Sequence, residues 1–226
     1  LQMEPDEVHS AVIDSVSRAR NYTDDVEWSS EDGTRSDHDF LCRCVESAIK
    51  AGAGTVNIPD TVGYTMPDEY AALIGMLFNR VPNIDKAVVS VHCHNDLGLA
   101  VANSLAALKA GARQIECTIN GLGERAGNVP MEETVMALLT LYDIDIGIKT
   151  ELLKPLADMV AKIAKIEIPS NRPIVGDDLF KIESGIIATW LLNCGLGEDL
   201  TTVVPFRPTM VGQENPTAVI GKGSGV

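Results

Sequence analysis

Apolar and polar positions along the chain repeat with two different periods. Residues 6–21 carry a helical repeat, with Val8, Val12, Ile13, Val16 and Ala19 on one stripe. Beyond it a unit recurs: a short apolar run, a polar end, then another helical repeat. The runs predict strands over 26–30, 55–59, 87–91 and 113–119, and helices over 37–51, 67–79, 98–110 and 132–141. A strand-to-strand interval of roughly thirty residues is that of a βα unit, so the strands should run parallel with helices outside.

Side chains of a strand alternate between faces. If His92 and His94 define one face, each other strand has a matching polar series: Glu27/Ser29/Glu31, Asn57/Pro59/Thr61 and Glu116/Thr118/Asn120. The opposite series are Val26/Trp28, Val56/Ile58, Val89/Val91/Cys93 and Ile115/Cys117/Ile119, suited to lie under helices. An open doubly wound sheet is apolar on both faces of its central strands. Four consecutive strands with one polar side fit a barrel wall with its site at the C-terminal mouth. A (β/α)8 barrel takes eight such units and about 250 residues, and four are visible. The chain therefore reads as the C-terminal half of an α/β barrel.

After residue 142 the pattern changes. A helix is expected over 151–164 (Leu152, Leu153, Leu156, Met159, Val160, Ile163), stopped by Ile168-Pro169-Ser170-Asn171-Arg172-Pro173. A second helix is expected over 183–193, followed by an irregular or extended tail rich in Pro and Gly. The predicted organisation is residues 1–145 as half-barrel and 146–226 as a helical linker subdomain.

The net charge of −14 and the pI near 4.6 argue against nucleic acid or an anionic membrane surface as a partner. A small anionic substrate needs only a local cation or metal. No apolar run is long enough to span a bilayer, and the acidic start Leu1-Gln2-Met3-Glu4-Pro5-Asp6 does not resemble a signal peptide. Five cysteines without zinc-site spacing read as reduced thiols of a cytoplasmic protein, Cys93 and Cys117 packing as small hydrophobes.

Two imidazoles on one face at a strand end can ligate a divalent metal, or can be hydrogen-bonded core or surface histidines. Glu31, ending the first strand, could be catalytic, metal-binding or a helix cap. Thr61 puts a hydroxyl at the same level of the next strand, where an ordinary loop threonine is the plainer reading. The last strand runs into Asn120-Gly121-Leu122-Gly123-Glu124-Arg125-Ala126-Gly127-Asn128, whose glycines allow tight turning and close approach to a ligand. Asn128 offers an amide oxygen and Arg125 a cation, unless Glu124 and Arg125 simply pair. Gly221-Lys222-Gly223-Ser224-Gly225 lacks the preceding strand and the spacing of a phosphate loop. His9 and His38 read as surface residues without partners.

His92-x-His94-Asn95-Asp96-x-Gly98 followed by Gly121-x-Gly123-Glu124-Arg125-x-Gly127-Asn128 resembles the signature of the 2-isopropylmalate synthase/homocitrate synthase family. The segments Trp28-Ser29-Ser30-Glu31-Asp32 and Asn57-Ile58-Pro59-Asp60-Thr61-Val62-Gly63-Tyr64 fit as well and favour the isopropylmalate branch. The resemblance implies a metal-dependent TIM barrel that condenses acetyl-CoA with a 2-oxo acid. It implies His92, His94 and Asn128 at a magnesium, manganese or zinc ion, and Glu31 and Thr61 in catalysis. Gly123, Glu124 and Gly127 would shape the acyl-CoA end.

Two departures accompany it. The family's first-strand Asp-Thr-Thr-x-Arg-Asp-Gly motif, which supplies an acidic metal ligand, does not occur in this chain. Ile187 stands where the family's Ser-Gly-Ile-His has its histidine. The acceptor expected is 2-oxoisovalerate, which would give 2-isopropylmalate on the route to leucine. Homocitrate or citramalate synthase, a related acyl-CoA lyase, and a catalytically inactive half-barrel are the alternatives. The lyases usually carry a cysteine in the glycine-rich loop, and this loop has none. Open sheet edges lead us to expect a homodimer.

Overall fold

A computed structural model describes residues 3–194, 204–214 and 217–218. It divides into two compact units, 1–129 and 130–226. The sequence pattern set its boundary after residue 145, and the helix over 131–142 is the element the two divisions assign differently. The glycine-rich segment near the C-terminus lies outside the described residues.

The first unit is a four-stranded sheet of β1 (Glu27–Ser29), β2 (Thr55–Asp60), β3 (Val88–Cys93) and β4 (Gln114–Glu116) in sequential order. All neighbouring pairs are parallel. Its helices are α1 (Pro5–Arg20), α2 (His38–Ala51), α3 (Pro67–Arg80) and α4 (Ala100–Ala110). This is a partial α/β barrel.

The helices begin where the sequence caps them. Asp37 accepts the Phe40 N–H at 2.9 Å ahead of α2, and Gly52, at φ +110°, closes that helix. Pro5 and Pro67 occupy first turns whose N–H groups have no intrahelical acceptor. The helix-facing series of the strands is dry: Val56, Ile58, Val89, Val91 and Cys93 are at most 1% exposed. Burying that many apolar side chains is the main stabilising contribution.

The other face is polar and curls on itself. Asn57 donates to Ser29 Oγ at 3.1 Å, and Gln114 Nε2 donates to Ser90 Oγ at 3.1 Å and to Glu27 Oε2 at 2.9 Å. In a flat sheet β1 and β4 would lie about 14 Å apart, three interstrand spacings. The Glu27–Gln114 bond therefore requires the sheet to bend toward its polar face, as a barrel wall does.

Some predicted bounds shift. The fourth strand stops at Glu116 and passes into a 3-10 turn over Ile119–Gly121, because Asn120 adopts the left-handed conformation (φ 59°). His9 is not an isolated surface residue: its ring bonds Ser47 Oγ at 2.8 Å and ties α1 to α2.

One polar residue sits on the dry side. Asp60, fully buried, accepts from Thr34 Oγ1 (3.3 Å), the Tyr64 N–H (3.2 Å), Thr65 Oγ1 (2.9 Å) and Asn103 Nδ2 (3.3 Å). It joins the loops after β1 and β2 to α4. The Tyr70 hydroxyl nearby donates to the Ile58 carbonyl.

The second unit contains α5 (Met131–Tyr142), α6 (Leu153–Ala164), α7 (Gly185–Cys194) and a parallel pair, β5 (Lys181–Ile182) with β6 (Thr217–Ala218). Its core includes Met136, Leu153, Val175, Phe180, Phe206 and Val211, the two phenylalanines meeting edge to face. Ile187 lies half-buried on α7.

Asp60→Ala should cost about 3 kcal/mol or more, since four donors around a buried acceptor lose it at once. Cys93→Ala should cost about 1 kcal/mol, the loss of one well-packed sulfur. Urea denaturation of the whole chain checks both, and the ranking of the two is the outcome at stake.

Candidate functional site

Register places Pro59, His92 and Glu116 side by side across β2, β3 and β4, one layer beyond Asn57, Ser90 and Gln114. Both histidines are half-buried on the polar face. His92 Nδ1 lies 2.8 Å from Glu116 Oε2, and its Nε2 lies 3.2 Å from His94 Nε2. The two rings thus converge on one point. Burial pushes both imidazoles below their usual pKa. Glu27 opposes the shift at His92, whereas His92 and Arg125 add to it at His94, against Asp96 and Glu124. Neutral imidazoles at neutral pH are the form that ligates metals.

The loop after β4 folds back along the end of β3. The Asn95 N–H donates to Gly127 O (2.9 Å) and the Val129 N–H to Cys93 O (3.1 Å), so that His94 and Asn128 form an antiparallel bridge. The backbone itself sets Asn128 beside His94. Two glycines make this possible. A Cβ on Gly127, which has φ +88°, would fall 2.0 Å from Gly121 O, and one on Gly123 would fall 2.6 Å from Asn128 Oδ1.

Arg125 ties three loops together. It donates Nε and Nη2 to the two oxygens of Asp96 (2.9 and 3.0 Å) and Nη2 to the Thr61 carbonyl (2.7 Å). This fork holds the Asp96 carboxyl below its ordinary pKa. Glu124 stands 4.0 Å from Arg125, so a simple Glu124–Arg125 pair is not the main contact of that guanidinium.

Thr61 Oγ1 accepts the Asp32 N–H at 2.9 Å, which leaves the Thr61 O–H to donate elsewhere. Glu31, next to Asp32 in the chain, is exposed and has no hydrogen bond or ion pair among the described residues. Thr61 is joined through Arg125 to the loop that bears Asn128. Glu31 makes no contact with the histidine pair.

Asn128 Oδ1 is buried and has no hydrogen-bond partner. A buried amide oxygen without a partner, on a residue bridged through its backbone to His94, fits part of a divalent-metal shell. Among the described residues no group of three or more His, Cys, Asp or Glu side chains could hold a metal, so carboxylate ligands are not gathered here. Glu116 and Asp96 escaped the sequence reading as site residues. The strand parity did place Glu116 on the correct face, but its pairing with His92 depends on register, which periodicity does not specify.

A family model described as HMGL-like matches residues 1–160. A 2-isopropylmalate synthase of Bradyrhizobium sp. (strain ORS 278) is 54% identical over the whole chain, which covers 42% of that protein. One from Rhodopseudomonas palustris (strain BisB18) is 51% identical over the whole chain, covering 43% of that protein. The chain thus spans less than half the length of the curated relatives it matches. Among solved structures, hydroxymethylglutaryl-CoA lyase from Pseudomonas aeruginosa superposes with a TM-score of 0.60 at 21% identity, over 72% of this chain and 57% of the other. HMG-CoA lyase from Brucella melitensis gives 0.58 at 19%, over 70% and 59%. These two likenesses show the fold.

The lowered histidines make stability depend on pH. Because their folded pKa lies below the unfolded value, their contribution is complete above the ordinary 6.5 and is lost as pH falls through the folded values. The urea midpoint should therefore drop from about pH 7 to about pH 5 more steeply in the native chain than in a His92→Gln/His94→Gln double variant. Parallel slopes would refute the assignment.

Proposed function

This chain belongs to the HMGL-like family, and from that membership we propose that it forms part of the catalytic barrel of a 2-isopropylmalate synthase. The reaction is the condensation of acetyl-CoA with a 2-oxo acid, 2-oxoisovalerate being the preferred acceptor. The observation that carries the reading is the meeting of His92 Nε2 and His94 Nε2 on the polar face of the sheet, with Asn128 bridged to His94 through the backbone. The 2-isopropylmalate synthases that match across the whole chain support the choice of reaction.

His92, His94 and Asn128 would hold a divalent magnesium, manganese or zinc ion. Such an ion, when bound, supplies Lewis-acid polarisation of the acceptor's ketone. The remaining roles belong to the chain's own groups. The Thr61 O–H, unused by its bond from Asp32, donates to an oxygen of the 2-oxo acid. Glu31, a carboxylate without a partner, takes the proton leaving the methyl carbon of acetyl-CoA. The resulting carbon nucleophile attacks the ketone carbon, and thioester hydrolysis then releases CoA. Gly123, Glu124 and Gly127 form the acyl-CoA side of the mouth, the glycines by keeping Asn128 and its loop in place. No thiol takes part: Cys93 faces the helices, where burial pushes it up to about 12.

Cytoplasmic location and a homodimer complete the proposal. No helix among the described residues is long and apolar enough to cross a membrane. Pairing of two copies would cover the open edges of β1 and β4.

The test is acetyl-CoA-dependent thiol release across 2-oxo acids of increasing side-chain size, with magnesium or manganese and with EDTA. It should be run on this chain and on one extended by the remaining strands. Release by the extended chain that peaks at 2-oxoisovalerate and is abolished by EDTA is the expected result. His92→Ala or His94→Ala should lower it by about a hundredfold or more, beyond the ten- to hundredfold typical of residues that only hold a ligand in place. Unchanged rates in both variants would remove the metal-ligand assignment.

A further inference from the structure

We propose that Glu116 is a positioning residue that fixes the proton of His92 on Nδ1 and so presents its Nε2 lone pair where the two histidines meet. The reason this matters rests on the metal reading above; the proton's location does not.

Two arrangements lead to the same tautomer, and a third holds Glu116 in place. First, Glu116 Oε2 lies 2.8 Å from His92 Nδ1, and a carboxylate oxygen accepts, which makes the nitrogen the N–H. Second, Glu116 is steadied from β1 by the adjoining Glu27. Glu27 bonds Glu116, and burial first and that bond next raise its pKa above its ordinary range. Gln114 holds Glu27 in place at 2.9 Å while bonding Ser90. These contacts keep Glu116 seated against His92.

Third, if His92 Nε2 carries a lone pair, the 3.2 Å contact is a donation from His94 Nε2–H. His94 Nδ1 is then unprotonated, and it is the atom that lies buried without a partner. A buried acceptor lacking a donor is tolerated better than a buried N–H lacking an acceptor. The reverse assignment would orphan an N–H there and set a lone pair against a carboxylate at His92. The two histidines are consequently unequal. His92 is preset as a donor, whereas His94 must move its proton to Nδ1 before its Nε2 can ligate.

None of this is visible in a histidine motif alone. Glu116 lies 24 positions from His92, on the neighbouring strand, and Glu27 lies on β1. The curl of the sheet brings them together.

Long-range proton–nitrogen correlation spectra of the whole chain, labelled at histidine nitrogen and recorded at about pH 8, where neutral imidazole dominates, read the tautomer directly. His92→Gln identifies the His92 signals among four histidines. The expected pattern is protonated Nδ1 and unprotonated Nε2 at His92. Glu116→Gln, whose amide oxygen can still accept, should keep it; Glu116→Leu should move the proton to Nε2. Manganese titration followed by electron paramagnetic resonance should show affinity weakened about tenfold or more by Glu116→Leu and largely restored by Glu116→Gln.

A His92 already protonated on Nε2 in the native chain would overturn the proposal. So would an unchanged tautomer in a folded Glu116→Leu variant. If Glu116→Leu does not fold, Glu116→Gln and the native spectrum still decide. The expected tautomers without manganese binding would support the positioning role while defeating the metal reading.

Discussion

Period-two separation of wet from dry is the constraint on which everything else depends. His92 and His94 reach the polar face only because Val91 and Cys93 are buried on the other. A slip of one residue in β3 would bury both imidazoles and expose the apolar series. The apolar side therefore fixes which face each residue takes, and the pairing of β3 with β4 then puts Glu116 beside His92. Hydrophobic packing in this sheet is what aims the polar chemistry. Asp60 is the exception that shows the cost of violating the separation: a carboxylate on the dry side persists because four donors from three segments surround it.

The mouth is assembled mainly by backbone. The turn after β4 closes on β3 through two main-chain hydrogen bonds, and its glycines are spaces into which Asn128 and a carbonyl fit. Arg125 then staples this turn to the loops after β2 and β3. Charge and conformation are in tension there, because Arg125 itself lies at φ +56°. The backbone would be easier with glycine or asparagine, while the fork to Asp96 demands a guanidinium.

Much of this was legible beforehand. Alternation along 55–59 and 87–91 pointed to parallel strands with one polar face, and the helical repeat over 37–51 marked α2. Parity also put His92, His94, Asn57 and Glu116 on one side. The partners were not legible. Arg125 reaches Asp96 and Thr61 from 29 and 64 positions away, and Gln114 reaches Glu27 from 87. Those contacts follow from curvature and loop closure, which a local pattern does not encode. The early end of β4 was missed for a similar reason: Asn120 takes a left-handed turn inside an otherwise alternating run.

The sulfur between the two histidines offers a clock. Cys93 is wholly buried against Tyr70 and Ser104, with its thiol held protonated, so a thiol reagent meets no thiolate while β3 stays packed. Its labelling rate would therefore count how often that strand opens. Because Cys93 shares its backbone with both imidazoles, the same rate reports the lifetime of their alignment, without a probe touching either ring.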